Sequence, residues 1–273
     1  MTMEVLAKSN PPISLASHSQ DVADACEAMT SAVITSRLQA VGLDIRPGRI
    51  AELARLAGKY HDVGKAQPSW QQACHRARQC EDTPVSFPPH SVVSAVYASR
   101  ALPVVSDLSE TELRAIVLAI LHHHTGFTCK NMEPSELASQ IRAETLDQEF
   151  EHNVRKAGFN SVEITPAIIS DFENEIERIR GFRDQSERTK LGLLTVFLYS
   201  ILRQADQHVS AGKDPNTVIQ SLEPDDISLF DKLRPFQTKV ADAIEERMMG
   251  IAGCGEGKTH TALQWGQSLL EDD

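Results

Sequence analysis

A chain of 273 residues, 41% hydrophobic and 24% charged, has the composition of an ordinary soluble protein and room for one large domain or two smaller ones. A net charge of −11 and an aromatic content of 5% exclude a protein that grips nucleic acid mainly through bulk positive charge or a broad base-stacking platform. Bound cations would still add local positive charge that the formal count omits. No apolar run reaches membrane-spanning length, and the N-terminal MTMEVLAKSN lacks a hydrophobic signal core, so a cytoplasmic protein without a membrane partner is expected. Five cysteines scattered at positions 26, 74, 80, 129 and 254 suit neither a disulfide framework nor a zinc ribbon.

Residues 1–17 read as an entry loop containing Pro11-Pro12. From His18 to about Val41, apolar residues recur at 22, 25, 29, 33 and 34, the stripe of a helix that Ser17 or Ser19 would cap. Pro47 suits the first turn of a second helix, whose Ile50, Leu53, Ala54, Ala57 and Tyr60 lead into His61-Asp62-Val63-Gly64-Lys65. Gly64 is read here as a left-handed helix end. A short helix spans Trp70–Arg78, and a proline-bearing loop from Glu81 to Pro89 delivers His90 to the mouth of another. Thr111 to His124 is apolar at 113, 116, 117, 120 and 121 and ends in the triplet His122-His123-His124. Residues 133–158 and 161–180 pattern as two charged amphipathic helices, a peripheral pair. Lys190–Val209 is the most apolar helix and carries Asp206 near its end. No alternation of period two precedes residue 248, so the first 220 residues are predicted to be all-α.

A lone helical histidine is ordinarily a surface residue or a satisfied core one. An ordered set of His18, His61-Asp62, His90, the 122–124 triplet and Asp206 is harder to explain that way, because imidazole and carboxylate together make a first-row metal site. Side chains at i and i+1 of a helix diverge by about 100°, so His61 and Asp62 converge on a cation only where the helix ends.

The pattern H…HD…H…HH…D resembles the HD phosphohydrolase superfamily. The local contexts Leu15-Ala-Ser-His18-Ser-Gln-Asp-Val-Ala, His61-Asp-Val-Gly-Lys, His90-Ser-Val-Val-Ser-Ala and Gln204-Ala-Asp206 resemble the HD nuclease domain of the CRISPR-associated nuclease-helicase of type I interference. The resemblance covers most of residues 10–212. It implies two divalent transition-metal ions (manganese, iron, nickel or cobalt), one held by His18, His61, Asp62 and Asp206. The second would be held by Asp62, His90 and two histidines of the triplet, with Asp62 bridging. Setting Thr125-Gly126 against the glycines that follow the family's histidine pair favours His123 and His124; a register one residue earlier would use His122 and His123. Catalysis falls to Asp62 and to Lys65, which would pair with the scissile phosphate. His75, His152, His208 and His260 have no place in the pattern.

Past a linker at 222–232, Arg234-Pro235-Phe236-Gln237 opens a helix to about Glu246, Met249–Ala252 reads as a strand, and Ala252-Gly-Cys-Gly255-Glu-Gly257-Lys258-Thr259 precedes another helix. A glycine-rich turn between strand and helix cradles phosphates with its backbone N–H groups. This one resembles the superfamily 2 helicase form of the Walker A loop, with Gln237 in its adenine-reading motif. By that resemblance Gln237, Gly255, Gly257, Lys258 and Thr259 bind ATP and magnesium in a full-length protein. The 14 residues after Thr259 leave no room for a Walker B motif, so no ATPase activity is expected from this chain.

The predicted architecture is therefore an all-α HD metal-dependent bundle over 1–221, a linker at 222–232, and a truncated α/β RecA-like helicase start over 233–273. The resemblance implies a monomeric DNase cutting single-stranded DNA, normally fed by an attached ATP-driven helicase after a CRISPR surveillance complex opens the target. An HD phosphohydrolase acting on nucleotides or cyclic dinucleotides, and a non-catalytic docking module, are the rival readings.

Overall fold

The computed structural model describes residues 4–30, 43, 45–79, 85–124, 148–162, 165–180 and 184–214. The linker, the helicase-like segment with Gln237, Gly255, Gly257, Lys258 and Thr259, the Thr125-Gly126 pair and His260 lie outside the described residues. The chain divides into two units, Met1–Val218 and Ile219–Asp273, and everything described below belongs to the first.

The apolar stripes become eight α-helices among the described residues. These are α1 (Leu15–Ala28), α2 (Pro47–Tyr60), α3 (Pro68–Gln79), α4 (Ser91–Val105), α5 (Glu110–His122), α6 (Gln148–Lys156), α7 (Pro166–Arg180) and α8 (Gln185–Ser210). Helix α5 lies at the centre. Every residue from Arg114 to His122 is buried, as befits a helix covered all round, and it packs against α8, α4 and α2. Ile116 and Ile120 are completely buried, each contributing roughly 1.5–3 kcal/mol by transfer from water. Helix α1 lies along α2 and α8. Its approach to α2 leaves no room at Gly58, where a Cβ would come within 2.8 Å of Ala23 Cα. No helix among the described residues is long and apolar enough to cross a membrane.

Two helices are pinned together at their starts. Arg49, in the first turn of α2, forks onto Glu112 in the first turn of α5, with Nε–Oε1 at 2.7 Å and Nη2–Oε2 at 2.8 Å. Glu112 is also the N3 residue of a capping box with Ser109, which satisfies two otherwise orphaned helix donors. The Arg49 hydrogen bonds, opposed by burial and aided by Ser109, hold the Glu112 carboxyl down at about 2. Helices α2 and α5 have 14 and 13 residues. Joined at their N-termini and matched in length, they bring their C-terminal ends, His61 and His123, to the same level.

Four local expectations are corrected. The entry loop read over residues 1–17 contains a short antiparallel pair, β1 (Leu6–Lys8) with β2 (Ile13–Ser14). The α1 cap is Ser14, whose side chain accepts from Ser17 N–H, because the helix starts one turn earlier than the apolar stripe indicates. Gly64 is not left-handed: the positive-φ glycines of the described residues are Gly158 and Gly212. Close packing requires it instead, since a Cβ there would lie 2.2 Å from the His90 carbonyl oxygen and 3.0 Å from Ser94 N. The charged segment near 150 is also less peripheral than its pattern suggests. Phe150 and Val154 are buried, and Asn153 Nδ2 donates to Ala66 O at 3.0 Å.

Candidate metal centre

The site forms where α2 stops. His61 keeps helical angles (φ −60°, ψ −35°), whereas Asp62 moves to φ −109°, ψ 5° and starts a 3₁₀ turn over Val63–Ala66. That change within one residue, into a sparsely used backbone region, turns two adjacent side chains toward one point. The turn is held from both sides. Gly64 N–H donates to Ser94 Oγ at 2.9 Å, and the Gln71 amide bonds to both backbone groups of Leu6 and to Lys65 O. Sequence reasoning missed both supports. Ser94 lies one helical turn after His90 and so could have been found; nothing in the sequence marks Gln71.

The other donors come from different elements. His18 stands in the first turn of α1 and is fully buried. His90 is the N-cap of α4, His123 the C-cap of α5, and Asp206 sits on the last turns of α8. Two groups result, Asp62 with His90, His123 and His124, and Asp62 with His18, His61 and Asp206, the donor atoms of each lying within 4.8 Å of one another. Asp62, 1% exposed, belongs to both. Its Oδ2 is 3.2 Å from Nε2 of His18 and 3.2 Å from Nε2 of His61. Its Oδ1 is 2.9 Å from His90 Nε2 and 3.6 Å from His123 Nε2. Asp206 Oδ1 is 3.2 Å from His18 Nε2, and Lys65 Nζ lies 2.6 Å from Asp62 Oδ2.

Among the described residues the structure forms no third such group. It brings His123 and His124 into the first and leaves buried His122 outside both. His208 turns away, its Nε2 donating to Asp214 O at 2.9 Å, and His75 and His152 belong to neither group.

Two imidazoles are aimed by their own helices. His61 Nδ1 is 2.7 Å from Gly58 O and His123 Nδ1 is 2.6 Å from Ile120 O. A carbonyl only accepts, so each Nδ1 carries the proton and each Nε2 faces the centre, the usual orientation of a metal-binding histidine. Burial opposes a charge on His61, but Asp62 and Asp206 outweigh it and raise the ring to about 10. Burial lowers His90 to about 4, against the pull of Asp62, and with His123 and His90 nearby it lowers His124 to about 3. Burial also works against ionised Asp62, yet His61 and Lys65 hold the carboxyl well below its usual range. The same holds for Asp206 through His18 and His61.

These residues fit cations better than they fit one another. Nε2 of His61 and His123 is buried without a hydrogen-bond partner, and apart from its ion pair with Lys65 the buried Asp62 carboxylate faces only imidazoles, a costly state unless an ion satisfies these atoms. His90 and His124 point their Nε2 atoms at each other, 2.9 Å apart, the separation of two ligands at right angles around one ion with bonds of about 2.1 Å. Three nitrogens with one carboxylate in one group, and two nitrogens with two carboxylates in the other, favour a transition metal over magnesium.

An all-helical bundle whose adjacent histidine and aspartate close two neighbouring donor groups defines a metal-dependent phosphohydrolase of the HD type. The family model described as "Cas3, HD domain" matches residues 6–194, and the chain belongs to that family. The match stops short of Asp206, which the fold alone brings to the site, and of the 233–273 segment. Among solved structures, the CRISPR-associated Cas3 HD domain protein from Methanocaldococcus jannaschii is 22% identical with a TM-score of 0.48, covering 73% of this chain and 99% of that one. A second CRISPR-associated protein is 19% identical with a TM-score of 0.41, covering 98% of this chain and 34% of its own. No curated protein matches the chain.

Proposed function

We propose that this domain is a two-metal nuclease that hydrolyses phosphodiester bonds of single-stranded DNA in CRISPR interference. In this reading residues 233–273 begin an ATP-driven helicase that would feed it strand. The observation that carries the proposal is Asp62, whose two oxygens face two separate donor groups. His18, His61 and Asp206 would hold one ion and His90, His123 and His124 the other. When bound, such ions supply Lewis-acid stabilisation of the diester and a water acidified to near neutrality. The chain's own part is positional. The backbone-tethered imidazoles His61 and His123 would fix where the ions sit. Lys65, 11% exposed beside Asp62, is placed to meet the charge growing on the phosphate. A surveillance complex as partner, a monomeric state and a cytoplasmic location complete the reading.

The direct test is circular single-stranded DNA incubated with the chain and a series of divalent ions. Linearisation followed by fragmentation is expected with manganese, nickel or cobalt and not in chelator. Phosphate release from nucleotides with the circles intact would instead favour the nucleotide phosphohydrolase. Less than one transition ion per chain, with no recovery on adding metal, would favour the docking module.

Ion binding should also depend on pH with a defined sign. His61 holds a proton up to about 10, and an ion on its Nε2 must displace it, so affinity rises with pH. For one proton released, the gain is up to about tenfold per pH unit below that value. Nickel titrations by calorimetry between pH 6 and 8 read this directly, and a flat profile would remove His61 from the ligand set.

A further inference from the structure

Beside His90 and His124 opens a groove of about 680 Å³ that runs over Lys8, Lys65, Trp70 and Phe87. Its lining contains two lysines and neither aspartate nor glutamate, in a chain whose acids outnumber its bases 38 to 27. A groove of that sign, continuous with a cation-binding centre, suits a polyanion. Phe87 is 40% exposed, whereas the Trp70 that supports it is 4% exposed. Their ring centroids lie 5.1 Å apart, and Lys65 Nζ lies 5.4 Å from the Trp70 ring. Followed by Pro88-Pro89, Phe87 presents an aromatic surface on a stiff, backed segment. Lys8 Nζ donates to Ser210 O at 3.0 Å, which anchors the ammonium at the groove and uses one of its three donors.

We propose that this groove seats the DNA strand next to the scissile diester, with one base stacked on Phe87 and a neighbouring phosphate paired with Lys8. The inference rests on the nuclease reading and extends it from the cutting chemistry to how the strand is held. Stacking on an aromatic ring tolerates any base because every base has a π face. The subsite therefore sets position along the strand without reading sequence. It also meets the problem raised by the net charge of −11, since attraction for the backbone is concentrated where the strand must lie.

The test compares the wild-type chain with Phe87→Ala, Phe87→Trp and Lys8→Ala, using steady-state cleavage of a labelled oligothymidylate at several salt concentrations. Phe87→Ala should raise KM about 5- to 100-fold, the range set by loss of one stacked base, with kcat nearly unchanged; Phe87→Trp should restore it. Lys8→Ala should raise KM and lower the dependence of log KM on log salt by about one unit. Bound metal and melting temperature should stay at wild-type values in all three. Wild-type KM in both alanine variants, with the unaltered chain cutting normally, would overturn the groove and leave the nuclease reading standing. An unaltered chain that cuts no oligonucleotide with any ion would overturn both.

Discussion

Asp62→Ala is expected to abolish cleavage of single-stranded DNA, a loss of about 10³-fold or more, and to reduce bound metal from two ions to one or none. The expectation follows from the number of groups that meet on this side chain. One carboxylate lies within 3.6 Å of Nε2 atoms of His18, His61, His90 and His123 and within 2.6 Å of Lys65 Nζ. Removing it takes away the one ligand that both groups share and one of their two negative charges, and leaves the Lys65 ammonium beside the site without its carboxylate. A lost ion forfeits several kcal/mol of transition-state stabilisation, and each 1.36 kcal/mol is about tenfold in rate. Metal analysis together with single-turnover cleavage measures both effects. A variant that keeps two ions and full activity would refute the bridging role.

Gly64→Ala should be nearly as damaging although the added group is a single methyl. The new Cβ would fall 2.2 Å from His90 O and 3.0 Å from Ser94 N, both backbone atoms of the α4 start, so no side-chain rotation relieves the clash. Overpacking of this kind costs about 1–3 kcal/mol or more. In a domain of this size that lowers the melting temperature by about 2–12 °C. The part that must move carries His90, so the group of Asp62, His90, His123 and His124 should lose affinity before the group around His18. Calorimetric unfolding and a metal titration resolve the two effects. A normal melting temperature with both sites intact would show that the turn is looser than its contacts indicate.

Metal chemistry was the most legible part of the sequence. Imidazole and carboxylate side chains are sparse enough that their order along the chain carries information, and the structure gathers those residues into two groups around Asp62. The helical stripes were legible for a similar reason: Ile50, Leu53, Ala54, Ala57 and Tyr60 share a face because the core demands it. What escaped notice depends on contacts between distant segments. Gly64 looks like a helix terminator, and only the passing His90 carbonyl reveals why no side chain fits there. The β1–β2 pair is too short to show alternation. Gln71 reads as an ordinary polar residue until its amide is seen bridging Leu6 and Lys65. Phe87 gave no warning either, because an apolar residue in a proline-rich loop has no periodicity to betray its exposure.

The Arg49–Glu112 fork makes α2 and α5 a pair of matched rulers read from a common zero. Each measures off the distance to its own histidine in steps of about 1.5 Å and about 100° per residue. A one-residue insertion in either would swing its histidine away from Asp62 as surely as deleting it. In this domain the meeting of His61 and His123 at Asp62 is written in helix length.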